Sequence, residues 1–170
     1  MSLNRRLALL SALSLAGVAL AACNKAKDKP APMLAGTAKA FLDKNGKLPG
    51  VVTTKSGLQY KILRSGPAAG LHPKRGDEVK VNYEGRLATG EVFDSSYQRG
   101  APVAMTLSGL VPGWLEALPM MRPGDEWMLW LPPELGYGEN GQGPIPPGSV
   151  LIFKLELIDV LPDESRVGRA

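Results

Sequence analysis

One cysteine and one histidine in 170 residues remove most of the chemistry open to a chain of this size. Cys23 has no second thiol to pair with and no CxxC motif to join. His72 sits in a proline-flanked stretch read as a surface loop, so neither a histidine-based triad nor a multi-histidine metal site can be assembled. The glycines at 138–143 precede no Lys-Ser pair and no plausible helix, which excludes phosphate-loop and dinucleotide motifs. No apolar run reaches the roughly 20 residues that a membrane-spanning helix needs. The chain is therefore expected to work without a cofactor, a metal or a covalent intermediate.

What is present begins with processing. Asn4-Arg5-Arg6 supplies a positive start, and residues 7–22 are small or apolar apart from Ser11 and Ser14. This pattern reads as a secretory signal over residues 1–22. Leu20-Ala21-Ala22-Cys23 resembles the bacterial lipobox, in which the cysteine thiol is lipidated and the signal is cut before it. A plain Ala-type cleavage site with a chance cysteine is the alternative. Cys23 stands at the one position lipidation requires, and a lipid-anchored envelope protein is the expectation. Asn24 follows where retention at the inner membrane usually calls for Asp, so the resemblance implies a periplasm-facing protein of the outer membrane.

Removal of Arg5 and Arg6 from the 20 basic residues leaves 18 against 16 acidic ones. So even a balance offers no argument for nucleic acid. The rest of the chain is long enough for one domain with its own core, and a hydrophobic content of 44% is ordinary.

Residues 24–36 are rich in Lys, Ala and Pro and have no apolar period, as a tether would be. Residues 37–45 predict a short helix, with Thr37 as cap and Gly46 as stop. From Gly57 onward the pattern becomes strand-like. Leu58, Tyr60 and Ile62 alternate with Gln59 and Lys61, which predicts one buried face; Val79, Val81 and Tyr83 do the same. Residues 87–92 read as a hairpin turn leading into Phe93. Residues 127–131 are apolar on both faces, as in a central strand. Leu151, Phe153, Leu155 and Leu157 face one way in the last strand. Among these strands Pro112 suits a first helical turn, and Trp114, Leu115 and Leu118 form an apolar stripe on a helix that Pro119 should end or kink. An antiparallel sheet on one short helix is an α+β fold with a single core.

Residues 131–146 are crowded with Pro and Gly, yet carry Leu, Tyr and Ile between two strands. Large side chains on a stiffened loop can build one wall of a binding pocket. Around it stand aromatics and one acid placed where strands end: Tyr83, Phe93-Asp94, Trp114, Tyr137 and Phe153. Taken singly, Trp114 and Phe153 could be ordinary core, and Asp94-Ser95-Ser96 an ordinary turn. Taken together, five motifs in register resemble the FKBP-type peptidyl-prolyl isomerases over about residues 57–160. They are Val81-Asn82-Tyr83-Glu84-Gly85, Gly90-Glu91-Val92-Phe93-Asp94-Ser95-Ser96, Val111-Pro112-Gly113-Trp114, Pro132-Pro133-Glu134-Leu135-Gly136-Tyr137-Gly138 and Ile145-Pro146-Pro147-Gly148-Ser149-Val150-Leu151-Ile152-Phe153. Residues 41–60 are similar to the segment that precedes the domain in periplasmic members.

The resemblance implies an antiparallel half-barrel sheet wrapped on one short helix, spanning residues 51–162. Residues 23–50 would form the lipidated tether and a helical lead-in, and 163–170 a C-terminal tail. It implies Asp94, Tyr137 and Tyr83 as catalytic groups, Trp114 as the floor of a proline pocket, and Phe93, Leu110, Val111, Ile145 and Phe153 as walls. Arg99 would orient the acid. Val103 stands where many relatives have Phe, so that wall is less aromatic. The implied partners are proline-containing peptides and unfolded envelope proteins, with macrolides such as tacrolimus or rapamycin as inhibitors. Only a tether precedes the domain, and a monomer is expected. The alternative reading is a lipid-anchored chaperone that holds peptides in the same groove; nothing in the sequence favours an adhesion protein.

Overall fold

The computed structural model describes Met33 and residues 35–163. Seven antiparallel strands make one sheet among them: β1 (Val52–Thr53), β2 (Gln59–Arg64), β3 (Glu78–Leu87), β4 (Val92–Ser95), β5 (Val103–Thr106), β6 (Glu126–Leu131) and β7 (Leu151–Leu161). They pair in the order β1-β2-β6-β7-β3-β4, and β5 also pairs with β3. The helices are α1 (Ala35–Asn45), a single turn α2 (Ser96–Arg99), and α3 (Pro112–Ala117). This is the α+β antiparallel sheet that the alternation predicts.

The core follows from that alternation. Trp127, Leu129 and Leu131 of β6 lie opposite Leu155, Phe153 and Leu151 of β7, all on the buried face. Val79, Val81 and Tyr83 of β3 continue the same surface. Trp114, Ala117 and Leu118 from α3 and its continuation fill the concave side, so helix and sheet share one core. Gly113 makes the close approach possible, because a Cβ there would lie 2.4 Å from Leu131 Cγ.

Several expectations are corrected. The first helix starts at Ala35, before Thr37. Ile62 is 48% exposed, whereas Gln59, expected on the solvent face, is buried. α1 covers the face of β2 that carries Gln59. The Gln59 amide donates to Leu42 O at 2.9 Å and accepts from Asn45 Nδ2 at 2.8 Å, while Ile62 lies on the opposite face, where β2 has passed the end of β1 and become the sheet edge. Leu115 is exposed and Ala117 takes its place in the core. Pro119 acts as expected: α3 ends at Ala117, and residues Leu118–Met120 tighten into a 3₁₀ turn, which needs no i−4 bond from the proline. His72 is exposed, as expected.

Candidate active site

Beside Asp94 the sheet leaves an open pocket of about 230 Å³ between α3, β4 and the loop after β6. Tyr83, Phe93, Trp114 and Phe153 supply its aromatic surface, and Asp94 and Tyr137 its polar groups. Pro112 opens α3 at its first turn, which places Trp114 at the inner end facing the sheet. The Trp114 ring meets Tyr83 edge-on at 5.2 Å and Phe153 at 5.2 Å; Phe93 meets Phe153 edge-on at 5.6 Å. Such edge-to-face contacts hold rings in fixed orientations. Gly85 provides the seat for two of them: a Cβ there would stand 2.6 Å from the Phe93 ring and 2.8 Å from Phe153.

The polar rim is a closed triangle. The Tyr83 hydroxyl donates to Asp94 Oδ2, Arg99 Nη1 donates to Asp94 Oδ1, and Arg99 Nη2 donates to the Tyr83 oxygen at 2.9 Å. Burial pushes the Asp94 carboxyl upward, but the Tyr83 hydroxyl and Arg99 outweigh it and hold the pKa below the usual range. Burial, and next the hydrogen bond to Asp94, raise the Tyr83 phenol. Burial likewise raises Tyr137, helped by the Asp94 charge. Tyr137 lines the pocket, and among the described residues no hydrogen bond engages its hydroxyl.

Arg99 reaches the acid because of α2, which the sequence reading missed. Ser95 caps that turn by accepting from Gln98 N at 3.3 Å, and Gly100 ends it at φ 73°. The signal was present as Ser95 followed five residues later by Gly100, a cap and a stop around one turn.

The structure gathers Tyr83, Phe93, Asp94, Leu110, Val111, Trp114, Tyr137 and Phe153 around this pocket. Three residues named from the sequence stand outside its lining, and one of them, Arg99, bears on it only through Asp94 and Tyr83. Val103 is half-buried on β5 opposite Val81. Ile145 is buried and grips Gln142 through paired backbone bonds of 2.8 and 3.0 Å. Met105, Gly109 and Gln142 line the pocket without having been named for it. Alternation along β5 carries Met105 inward. Gln142 is brought over by the turn that begins at Gly141 (φ 62°), a position only glycine fits, because a Cβ would sit 2.3 Å from Ile145 O. A larger hollow of about 480 Å³ lies between α1 and the loop after β6, but it has none of the rings. Cys23 lies outside the described residues.

Comparison with known proteins agrees with this geometry. Residues 70–158, just over half the chain, match the family described as FKBP-type peptidyl-prolyl cis-trans isomerase. Residues 12–62 match the domain amino terminal to that isomerase. Peptidyl-prolyl cis-trans isomerase Mip of Coxiella burnetii is 52% identical over 123 residues, covering 72% of this chain and 53% of that protein. Outer membrane protein MIP of Legionella longbeachae is 45% identical over 122 residues, covering 71% and 52%. The crystal structure of FkpA from Escherichia coli superposes with a TM-score of 0.71 at 43% identity, covering 75% of this chain and 59% of that one. The chain thus spans about half the length of the curated relatives it matches.

Proposed function

Because the chain belongs to the FKBP-type peptidyl-prolyl cis-trans isomerase family, we propose that it catalyses rotation about X–Pro bonds of proteins folding in the bacterial cell envelope. The observation that carries this reading is the ring-lined pocket that opens beside Asp94.

Rotation about the bond faces a barrier of about 18–20 kcal/mol, because the twisted state loses amide resonance. Uncatalysed, it takes tens to hundreds of seconds. The twisted amide carries less charge separation than the planar one, so an apolar pocket disfavours the planar form relative to the twisted form. Trp114 forms the floor on which the proline ring rests, with Phe93, Val111 and Phe153 beside it. Tyr137 donates to a substrate carbonyl and fixes the flanking backbone. Asp94 is already held by Tyr83 and Arg99, so the pocket does not present a bare carboxylate that would favour the more dipolar planar amide. No proton needs to move.

The anchor and location belong to the same proposal. Residues 1–22 act as a signal, Cys23 carries lipid, residues 24–50 tether and lead into the domain at 51–162, and 163–170 form a tail. The lipobox-like run and the name of the Legionella relative support the outer membrane. Proline-containing peptides and unfolded envelope proteins are the partners, macrolides of the tacrolimus and rapamycin type would compete for the pocket, and the protein works as a monomer.

The test is the cis–trans exchange rate of a proline-containing peptide with and without the purified full chain in detergent. Acceleration that an excess of macrolide abolishes is the expected result. An exchange rate equal to that of the peptide alone overturns the proposal. Suppressed aggregation of a proline-free client in that case would leave the peptide-holding chaperone in its place.

A further inference from the structure

We propose that Ser96 is a positioning residue for this reaction, holding Tyr83 against Asp94 from behind the strand. The inference rests on the isomerase reading for its effect on rate, but its geometry stands independently.

The outer side of β3 is covered in two pieces. β5 pairs with positions 78–81 and β4 with positions 84–86. Asn82 and Tyr83 fall in the gap between them, and on that side no strand takes up the Tyr83 backbone. An antiparallel residue presents its N–H and C=O to the same neighbour, so both groups of Tyr83 would be left unpaired in a buried place, which proteins avoid. Ser96 fills the gap. Its Oγ accepts from Tyr83 N at 2.8 Å and lies 3.3 Å from both Tyr83 O and Asn82 Oδ1, to which it donates its proton. One hydroxyl therefore replaces the missing rung of the ladder.

Ser96 is fully buried and does not line the pocket, so it touches no substrate. Its influence passes through Tyr83, whose hydroxyl binds Asp94 and whose ring meets Trp114. Ser96 is also the first residue of α2, the turn that carries Arg99 back to the same acid. Both partners of Asp94 thus connect to one residue: Tyr83 through the Ser96 side chain, Arg99 through the backbone of a single turn.

The test uses the full chain with ring-labelled tyrosine and the variants Ser96→Ala and Ser96→Cys, the latter of similar size but a weaker acceptor. In Ser96→Ala, kcat on a proline peptide is expected to fall about tenfold with KM little changed, as a small misplacement of a positioned group does. In a Tyr83→Phe background the same change should cost less than about twofold, because the two residues act as one unit. The Tyr83 ring signal should also titrate closer to an ordinary phenol, and Ser96→Cys should lie between the two. A folded Ser96→Ala whose Tyr83 titration and kcat match the wild type overturns the inference. If Ser96→Ala does not fold, Ser96→Cys decides by the same readings. Should the wild type prove inactive, the ring titration still judges Ser96 while the isomerase reading fails separately.

Discussion

Arg99 holds Asp94 across a single helical turn, with Nη1 on the carboxylate and Nη2 2.9 Å from the Tyr83 hydroxyl that binds the other oxygen. The acid is thereby satisfied from two sides before any substrate arrives, and its charge is spread over three residues. An exposed ion pair of this kind contributes little to stability by itself, since Arg99 and Asp94 are 46% and 42% exposed. Its consequence lies in orientation.

Substitution at this rim should therefore affect rate more than folding. Asp94→Leu leaves Tyr83 and Arg99 without their common acceptor, and kcat/KM on a proline peptide is expected to fall about tenfold, equivalent to about 1.4 kcal/mol. Tyr137→Phe removes one unpaired donor and should cost about threefold to tenfold, the range of one hydrogen bond. Melting temperatures should change little in either variant. Rates equal to wild type in both would remove the rim from the mechanism.

The pH profile follows from the direction of each shift. Asp94 has a folded pKa below its unfolded value, so its contribution is complete above the ordinary carboxylate range and disappears as pH falls through the lower, folded value. Tyr83 and Tyr137 are raised, so both remain neutral below the ordinary phenol range and ionise only above it. Activity is expected to stay flat from about pH 5 to about pH 9, between the reference values of the two residue types. A step near pH 6–7 in peptide exchange rate would show that some other group controls the site.

Gly85 tests the ring wall. Gly85→Ala places a methyl group where the Phe93 and Phe153 rings now rest. Overpacking of this kind costs about 1–3 kcal/mol. The variant should melt at a lower temperature and lose peptide exchange at temperatures where it is still folded, because the two rings must move apart. Loss of stability with full activity would mean that these rings serve the core alone.

Gly141 tests the loop. Its φ of 62° and the 2.3 Å approach to Ile145 O leave no room for a side chain. Gly141→Ala should break the paired bonds between Gln142 and Ile145 and withdraw Gln142 from the pocket. A rise in KM for peptides is expected, with a smaller change in melting temperature, since loops of this kind open locally.

Cys23 tests the anchor. Wild-type protein should partition into the detergent-rich phase and the membrane fraction, and Cys23→Ser should appear in the aqueous phase. The serine carries no lipid, so retention in the membrane of a Cys23→Ser variant from which residues 1–22 have been removed would point to another attachment.

Much of this architecture could be read from residue order. Alternation along β3 and along β7 as far as Leu157 is legible because one face of each lies on the core, so period two survives in Val79, Val81, Tyr83 and in Leu151, Phe153, Leu155, Leu157. Pattern failed where burial depends on how far a neighbour extends. Gln59 is covered by α1, whereas Ile62, on the other face, lies beyond the end of β1 at the sheet edge. Leu115 likewise has helical spacing but lies beyond the sheet's reach, and the smaller Ala117 meets the core.

From residue order come the strand periods, the proline at the head of α3, the aromatic set and Asp94, because each is a local property of chain chemistry. The triangle of Tyr83, Asp94 and Arg99, the Ser96 rung, the Gly85 seat and the arrival of Gln142 at the pocket are different in kind. Each joins groups that meet only after β3, β4 and the closing loop have packed, and their distances are set by strand register and by where paired strands end. Local preference contains no information about that endpoint; the whole sheet must form before it exists.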